Sequence, residues 1–358
     1  MEIGSIFEIN PKDLFSNEKT FRSLFPFERD YEWNFSYFNT GRAAIEALLV
    51  YLKRLRHNSI WLPSYDCDSV LSAAKRAEMD IHYYRIGKDF KIVIKDLEEL
   101  SQGDILYVVN LFGKKENEET IKRIATFKES EVIVIEDLTL ALFSEGSEVG
   151  YGDYVIGSVR KWLPQPDGGF IASQYALPDF KKEQAAYEYS FNYIIAQIMK
   201  YEYLNDTKLD KQQFLNFSNK AMESLFSDYT IREMSAISKK ILNSVDFAEV
   251  AKMRKNNYRY LYKCLSNIDE LKLMVEPSDD TVPLGLVIAT EDRDSLFCYL
   301  VQNNIYCNIH WRPNESTMLF DDSNYLSKHC LTIPCDQRYN YSHFDYITQN
   351  IKKYYHYV

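Results

Sequence analysis

Between Tyr37 and Ala172, short apolar runs alternate with stretches of helical spacing. Residues 59–62, 81–84, 105–109, 132–135, 154–156 and 169–172 are β-branched or aromatic runs and read as strands. Several are apolar at consecutive positions, the mark of a sheet covered on both faces. Residues 41–52 carry Ala44, Ile45, Leu48, Leu49 and Leu52 at helical intervals, with Asn39 and Thr40 where an N-cap belongs. Residues 69–77 and 118–127 read as helices too. This alternation predicts a mostly parallel sheet between helices, with ligands at the carboxyl ends of its strands.

The flanking segments differ. The first 35 residues are aromatic and irregular, punctuated by Pro11 and Pro26, and read as a strap over a larger body. Residues 178–271 read as helical and tyrosine-rich, with 234–265 forming one long helix or two. Strand and helix then return: 284–288, 305–309 and 331–333 as strands, 293–302 and 343–355 as helices. The expectation is an α/β protein of two lobes: a large domain at 1–245, its N-terminal segment at 1–36, and a smaller C-terminal domain at 246–358.

Composition narrows the function classes. A chain of 358 residues with 46% hydrophobic content is long enough for a large core. Its net charge of −10 argues against nucleic acid or an anionic membrane as the main partner, while leaving room for an anionic small ligand. Six cysteines, none in a CxxC pair, read as reduced thiols. The first eight residues lack the basic and apolar regions of a secretory signal, and no apolar run approaches the ~20 residues of a membrane span. A cytoplasmic protein is expected. The histidines show no ligand spacing, so no metal site is expected.

Two stretches carry candidate chemistry. Asp137 ends the apolar run 132–135, and Lys161 follows another strand 161 − 137 = 24 residues later. The pair suits pyridoxal phosphate (PLP): a lysine to hold the aldehyde as a Schiff base, an acid to keep the ring nitrogen protonated. Each residue alone has a bland reading, Lys161 as a surface lysine and Asp137 as a cap or satisfied strand-end acid. Glu136 faces the opposite side if the strand continues. Gly168-Gly169 permits close backbone approach to a ligand. Thr40, Gly41 and Arg42 open a helix whose N–H groups form an anion cup, or an ordinary capped start, and Ser158 adds a hydroxyl. His310, Trp311 and Arg312 follow a strand and suit an anionic or sugar-like substrate, or form a polar loop with an anchored tryptophan. Arg338 is a second basic candidate.

Taken in order, these pieces resemble the DegT/DnrJ/StrS family of PLP-dependent sugar aminotransferases, within the fold-type-I aspartate aminotransferase superfamily. The resemblance runs from about Tyr37 to Tyr355. Asn39-Thr40-Gly41-Arg42-Ala43-Ala44 resembles the family's phosphate-cup helix start. Leu62-Pro63-Ser64-Tyr65 resembles its Pro-Ser/Ala-Tyr-Thr loop, and Asn110-Leu111-Phe112-Gly113 its His-Leu-Tyr-Gly turn. Ile135-Glu136-Asp137 is similar to its Glu-Asp strand end, and Ser158, Lys161 and Asp167-Gly168-Gly169 to its Ser…Lys…Glu-Gly-Gly segment. Tyr229-Thr230-Ile231-Arg232-Glu233-Met234-Ser235 resembles a Tyr-Asn-Tyr-Arg-Met-Ser element, and residues 305–311 the strand and loop that meet substrate.

The resemblance implies a fold-type-I homodimer with active sites at the subunit interface. Lys161 would hold the cofactor and move the proton, Asp137 would hold the pyridinium, and Thr230 would reach the phosphate of a neighbouring chain. Glutamate would be the amino donor and a nucleotide-linked keto sugar the acceptor. The chain also departs from the family. Leu140 stands where Gln or His is usual, Asn110 where histidine is common, and Thr230 replaces an asparagine. Cys67 aligns with the aromatic that covers the ring. These departures keep two alternatives open: a PLP-dependent lyase, dehydratase or other transfer enzyme acting on an amino acid or amino sugar, and a non-catalytic family member.

Overall fold

The computed structural model describes every residue except 16–23, 29–30, 147–148, 206–207, 316 and 358. In chain order the elements begin with β1 (Ile3–Gly4), α1 (Pro11–Phe15), β2 (Asn34–Phe38), α2 (Gly41–Arg54), β3 (Ser59–Pro63), α3 (Asp68–Arg76) and β4 (Asp80–Tyr84). They continue with β5 (Ile105–Val109), α4 (Glu118–Glu129), β6 (Ile133–Asp137), β7 (Tyr154–Gly157) and β8 (Gly169–Ser173). Four helices follow: α5 (Tyr187–Asn205), α6 (Lys211–Ser227), α7 (Ala236–Ser244) and α8 (Phe247–Leu265). The chain closes with β9 (Lys272–Leu273), β10 (Gly285–Ala289), α9 (Arg293–Gln302), β11 (Ile305–Tyr306), α10 (Asp321–His329), β12 (Cys330–Pro334) and α11 (Tyr341–Tyr354).

Seven strands form one sheet in the order β2-β8-β7-β6-β5-β3-β4. The pairings from β7 to β4 are parallel, and only β8 runs against its neighbours. Both faces are covered, and the side-chain alternation shows by what. Ile60, Leu62, Ile105, Tyr107 and Ile135 pack with α2 and α3, while Trp61, Leu106, Val108 and Val134 pack with α4 and with residues of the C-terminal lobe. That is the period of two expected of a strand, with no face left for water. The predicted apolar stripe of α2 is buried as read.

The C-terminal lobe holds a second sheet in the order β12-β10-β9, with its own core beside α8, α9 and α11. Residues 234–265 form two helices rather than one, because Ser235 and Asp246 each cap a start with a side-chain oxygen. The strand expected over 305–309 stops at Tyr306. It pairs in parallel with Ile3–Gly4 of the N-terminus, and Asn308 instead bridges Thr332. Gly4 makes that pairing possible: its φ is +88°, and a Cβ there would sit 2.1 Å from the Tyr306 carbonyl oxygen. The buried Lys200 donates to the carbonyls of Gly4 (2.9 Å) and Ile6 (2.7 Å), fixing the segment on α5.

Candidate active site

The carboxyl ends of the central strands meet the start of α2 around a cleft of about 260 Å³. β6 delivers Asp137. One carboxylate oxygen accepts from the Tyr107 hydroxyl of β5 (2.6 Å), the other from the Thr139 amide (2.7 Å). Glu136 turns to the opposite face, as the pleat requires, and accepts the amides of Gly150 and Gly152. Burial pushes its carboxyl up to about 7.

Lys161 lies in a short 3-10 turn after β7 and lines the same cleft. The next residue, Trp162, is fully buried, and its indole N–H donates to the Thr139 carbonyl (2.8 Å). Thr139 therefore ties both ends together: its amide holds Asp137, and its carbonyl holds the turn that carries Lys161.

The start of α2 opens on the cleft through Thr40, Gly41 and Arg42. The Thr40 hydroxyl accepts the Ala43 amide (3.0 Å), which leaves the Gly41 and Arg42 amides at the helix mouth with no intrahelical carbonyl to meet. Ser158 faces that mouth: a Cβ on Gly41 would stand 3.4 Å from the Ser158 Cβ. Gly169 has a role other than the one expected. Its close approach is to the helix start, since a Cβ there would lie 2.4 Å from Thr40 and Gly41 backbone atoms. Gly168 supports the same turn by donating its amide to the Asn39 carbonyl (2.7 Å).

The other expected site residues divide. Arg42 lines the cleft, but its guanidinium donates to the carbonyls of Leu225 (3.0 Å) and Asp228 (2.7 Å), closing the end of α6. Cys67 lines it at the start of α3, its sulfur accepting from Ser69 (3.0 Å). Trp311 lines it with its ring edge-on to Tyr65.

His310 and Arg338 face a second chamber, which Lys161 and Arg160 also line, so Lys161 stands at the junction of the two. His310 bonds Thr332 through Nδ1 (2.9 Å), and its carbonyl accepts from the Tyr65 hydroxyl. Burial, and then the nearby Lys161, lower its imidazole to about 3, so it is neutral at physiological pH. Arg338 is fully engaged by Asp336, Glu8 and the Ile6 carbonyl. Thr230 and the exposed Arg312 line neither space.

These residues fit PLP: one cleft joins a helix mouth suited to a phosphate, a lysine amine and a braced carboxylate. Among the described residues no cluster of His, Cys, Asp or Glu is placed to hold a metal.

No family model and no curated protein matches the sequence. Solved structures do match in shape. The putative sugar aminotransferase Spr1654 from Streptococcus pneumoniae, in its PLP form, superposes with a TM-score of 0.64 at 13% identity, covering 89% of this chain and 86% of that one. Sugar aminotransferase CalS13 from Micromonospora echinospora gives 0.61 at 14%, over 89% and 87%. GDP-4-keto-6-deoxy-D-mannose-3-dehydratase from E. coli, with hydrated PLP, gives 0.62 at 16%, over 88% and 87%. The chain has the fold that these enzymes share.

On this fold, three residues outside the sequence-based candidates join the site. Tyr107 and Thr139 brace Asp137. Asp66 lines the cleft where the resembling loop carries threonine. The one signal in the sequence was that substitution, an acid straight after Pro63-Ser64-Tyr65.

Proposed function

We propose that the protein is a PLP-dependent aminotransferase that moves an amino group from an amino-acid donor, glutamate, to a keto group on a nucleotide-linked sugar. The observation that carries this reading is the placing of Asp137, Lys161 and the α2 mouth in one cleft. When bound, PLP supplies an electron sink that makes a substrate Cα–H acidic.

The chain's own residues do the rest. The Gly41 and Arg42 amides and the Ser158 hydroxyl bind the phosphate. Asp137, held by two donors, keeps a proton on the ring nitrogen. The Lys161 Nζ, standing between the cleft and the second chamber, takes the Cα proton and returns it. The neutral His310 and the chamber around it receive the substrate. The likeness of fold supports small-molecule partners, and the bare aromatics Tyr187, Phe191 and Phe226 support a homodimer. All six cysteines are free thiols, which supports a cytoplasmic setting. Among the described residues no helix is long and apolar enough to cross a membrane.

PLP added to the purified protein is expected to give an absorption band at roughly 400–430 nm that glutamate bleaches. Borohydride is expected to fix the cofactor to the wild type and not to Lys161→Ala. Protein that takes up no PLP sinks the proposal. A second reading, dehydration, has support because the E. coli dehydratase matches the fold as well as the aminotransferases do. Formation of 2-oxoglutarate from glutamate decides for transfer.

A further inference from the structure

Asp66 is a second acid in the cleft, and its surroundings differ from those of Asp137. It sits on the segment leading from β3 into α3 and is 6% exposed. One carboxyl oxygen accepts the amide of the next residue, Cys67 (2.6 Å), and the Asn314 side chain donates to its backbone carbonyl (3.2 Å). The other oxygen, Oδ2, is buried and has no hydrogen-bond partner among the described residues.

The charged and titratable groups around it are Asp137 from β6, Asp68 from the start of α3, Lys161 from the turn after β7, and the phenols of Tyr84 and Tyr107. Two buried carboxyls that line one cleft and repel one another do not both ionise readily. Asp137 has two donors aimed at it, the arrangement that suits an anion. Asp66 has one, and an ionised oxygen left bare in the interior carries a heavy desolvation cost. Burial and the neighbouring Asp137 drive the Asp66 carboxyl well above the usual range.

We propose that Asp66 works in this cleft as a neutral carboxylic acid, a hydrogen-bond donor toward the bound cofactor. This rests on the function proposed above for the identity of the acceptor, PLP, but not for the proton on Asp66. A neutral Asp66 adds no second anion beside Lys161 and supplies a donor where the resembling loop has a hydroxyl.

The test uses the full chain, with Asp66→Asn and Asp66→Ala. Infrared spectra at neutral pH without PLP are expected to show a protonated-carboxyl stretch that Asp66→Asn removes and that shifts when PLP is added. PLP titration is expected to leave the affinity of Asp66→Asn within about threefold of the wild type, because the amide keeps a donor. In Asp66→Ala it is expected to weaken it roughly tenfold, the loss of one buried hydrogen bond. No carboxyl band lost in Asp66→Asn overturns the neutral acid, and this result stands even if the alanine variant misfolds. A carboxyl band that does not move on PLP addition, or equal affinities in both variants, overturns the donor role. A wild type that shows the band but takes up no PLP overturns the proposed function, and the acceptor with it, without touching the proton assignment.

Discussion

The 2.6 Å contact between the Tyr107 hydroxyl and Asp137 is buried inside the sheet. Tyr107→Phe removes that donor and leaves a buried carboxylate oxygen unmet, at a cost of about 1–3 kcal/mol. Urea unfolding is expected to show that loss, and PLP titration a weaker affinity; an affinity within twofold of the wild type means that Thr139 alone positions the acid. Glu136 makes a pH prediction. Its folded value near 7 lies above the ordinary carboxylate range, so the folded chain binds the extra proton. Its contribution is therefore fully present below pH ~4.5, falls as pH rises to 7, and is flat beyond, a change of roughly 3 kcal/mol at most. Glu136→Gln should flatten this segment of the stability curve, read by urea unfolding at pH 5 and pH 8. Asp137 and Lys161 stand out in the sequence as candidates because each follows a strand at a position where chemistry is usual, and the structure brings both to one cleft. Tyr107 does not, since a tyrosine inside Ile105–Val109 looks like any core residue until the neighbouring strand is placed beside it.

At the scale of elements, the strands and helices of the large sheet were legible to within a few residues, because burial on both faces writes itself as continuous apolar runs. The role of Gly168-Gly169 was less so. The glycines were read as room for a ligand, and the structure shows room for a helix: β8 crosses so close to the α2 start that only a hydrogen fits at Gly169. Gly169→Ala is expected to push the Thr40–Gly41 backbone away from Ser158, because the obstructing atoms are backbone and cannot rotate aside. Overpacking of this kind costs about 1–3 kcal/mol. The more telling readout is affinity for inorganic phosphate and for PLP, both of which should weaken if the α2 mouth is the anion site. Unchanged affinity for both would detach the mouth from the phosphate. The shortened strand at Ile305–Tyr306 has a different origin. Its partner, Ile3–Gly4, is some three hundred residues away in sequence, and no local pattern announces such a pairing.

For the molecule as a whole, the exposed apolar surface is uneven. Tyr187 and Phe191 stand one turn apart on α5 and are each 66% exposed, and Phe226 at the end of α6 is 62% exposed while lining the cleft. Large aromatics this bare mark a surface that something covers. Phe226 stands bare at the lip of the candidate site, so a second copy of the chain docked over it and the α5 aromatics would help wall the cleft. Sedimentation of the wild type is expected to give about twice the 42.2 kDa chain mass. Phe191→Glu combined with Tyr187→Glu places charge in the centre of the face and touches no residue of the cleft, so it should yield a folded monomer. That monomer should also hold PLP more weakly, because the cleft loses its neighbouring wall. A double variant that stays dimeric would move the interface elsewhere. A monomer with undiminished PLP affinity would instead show that each chain completes its own site.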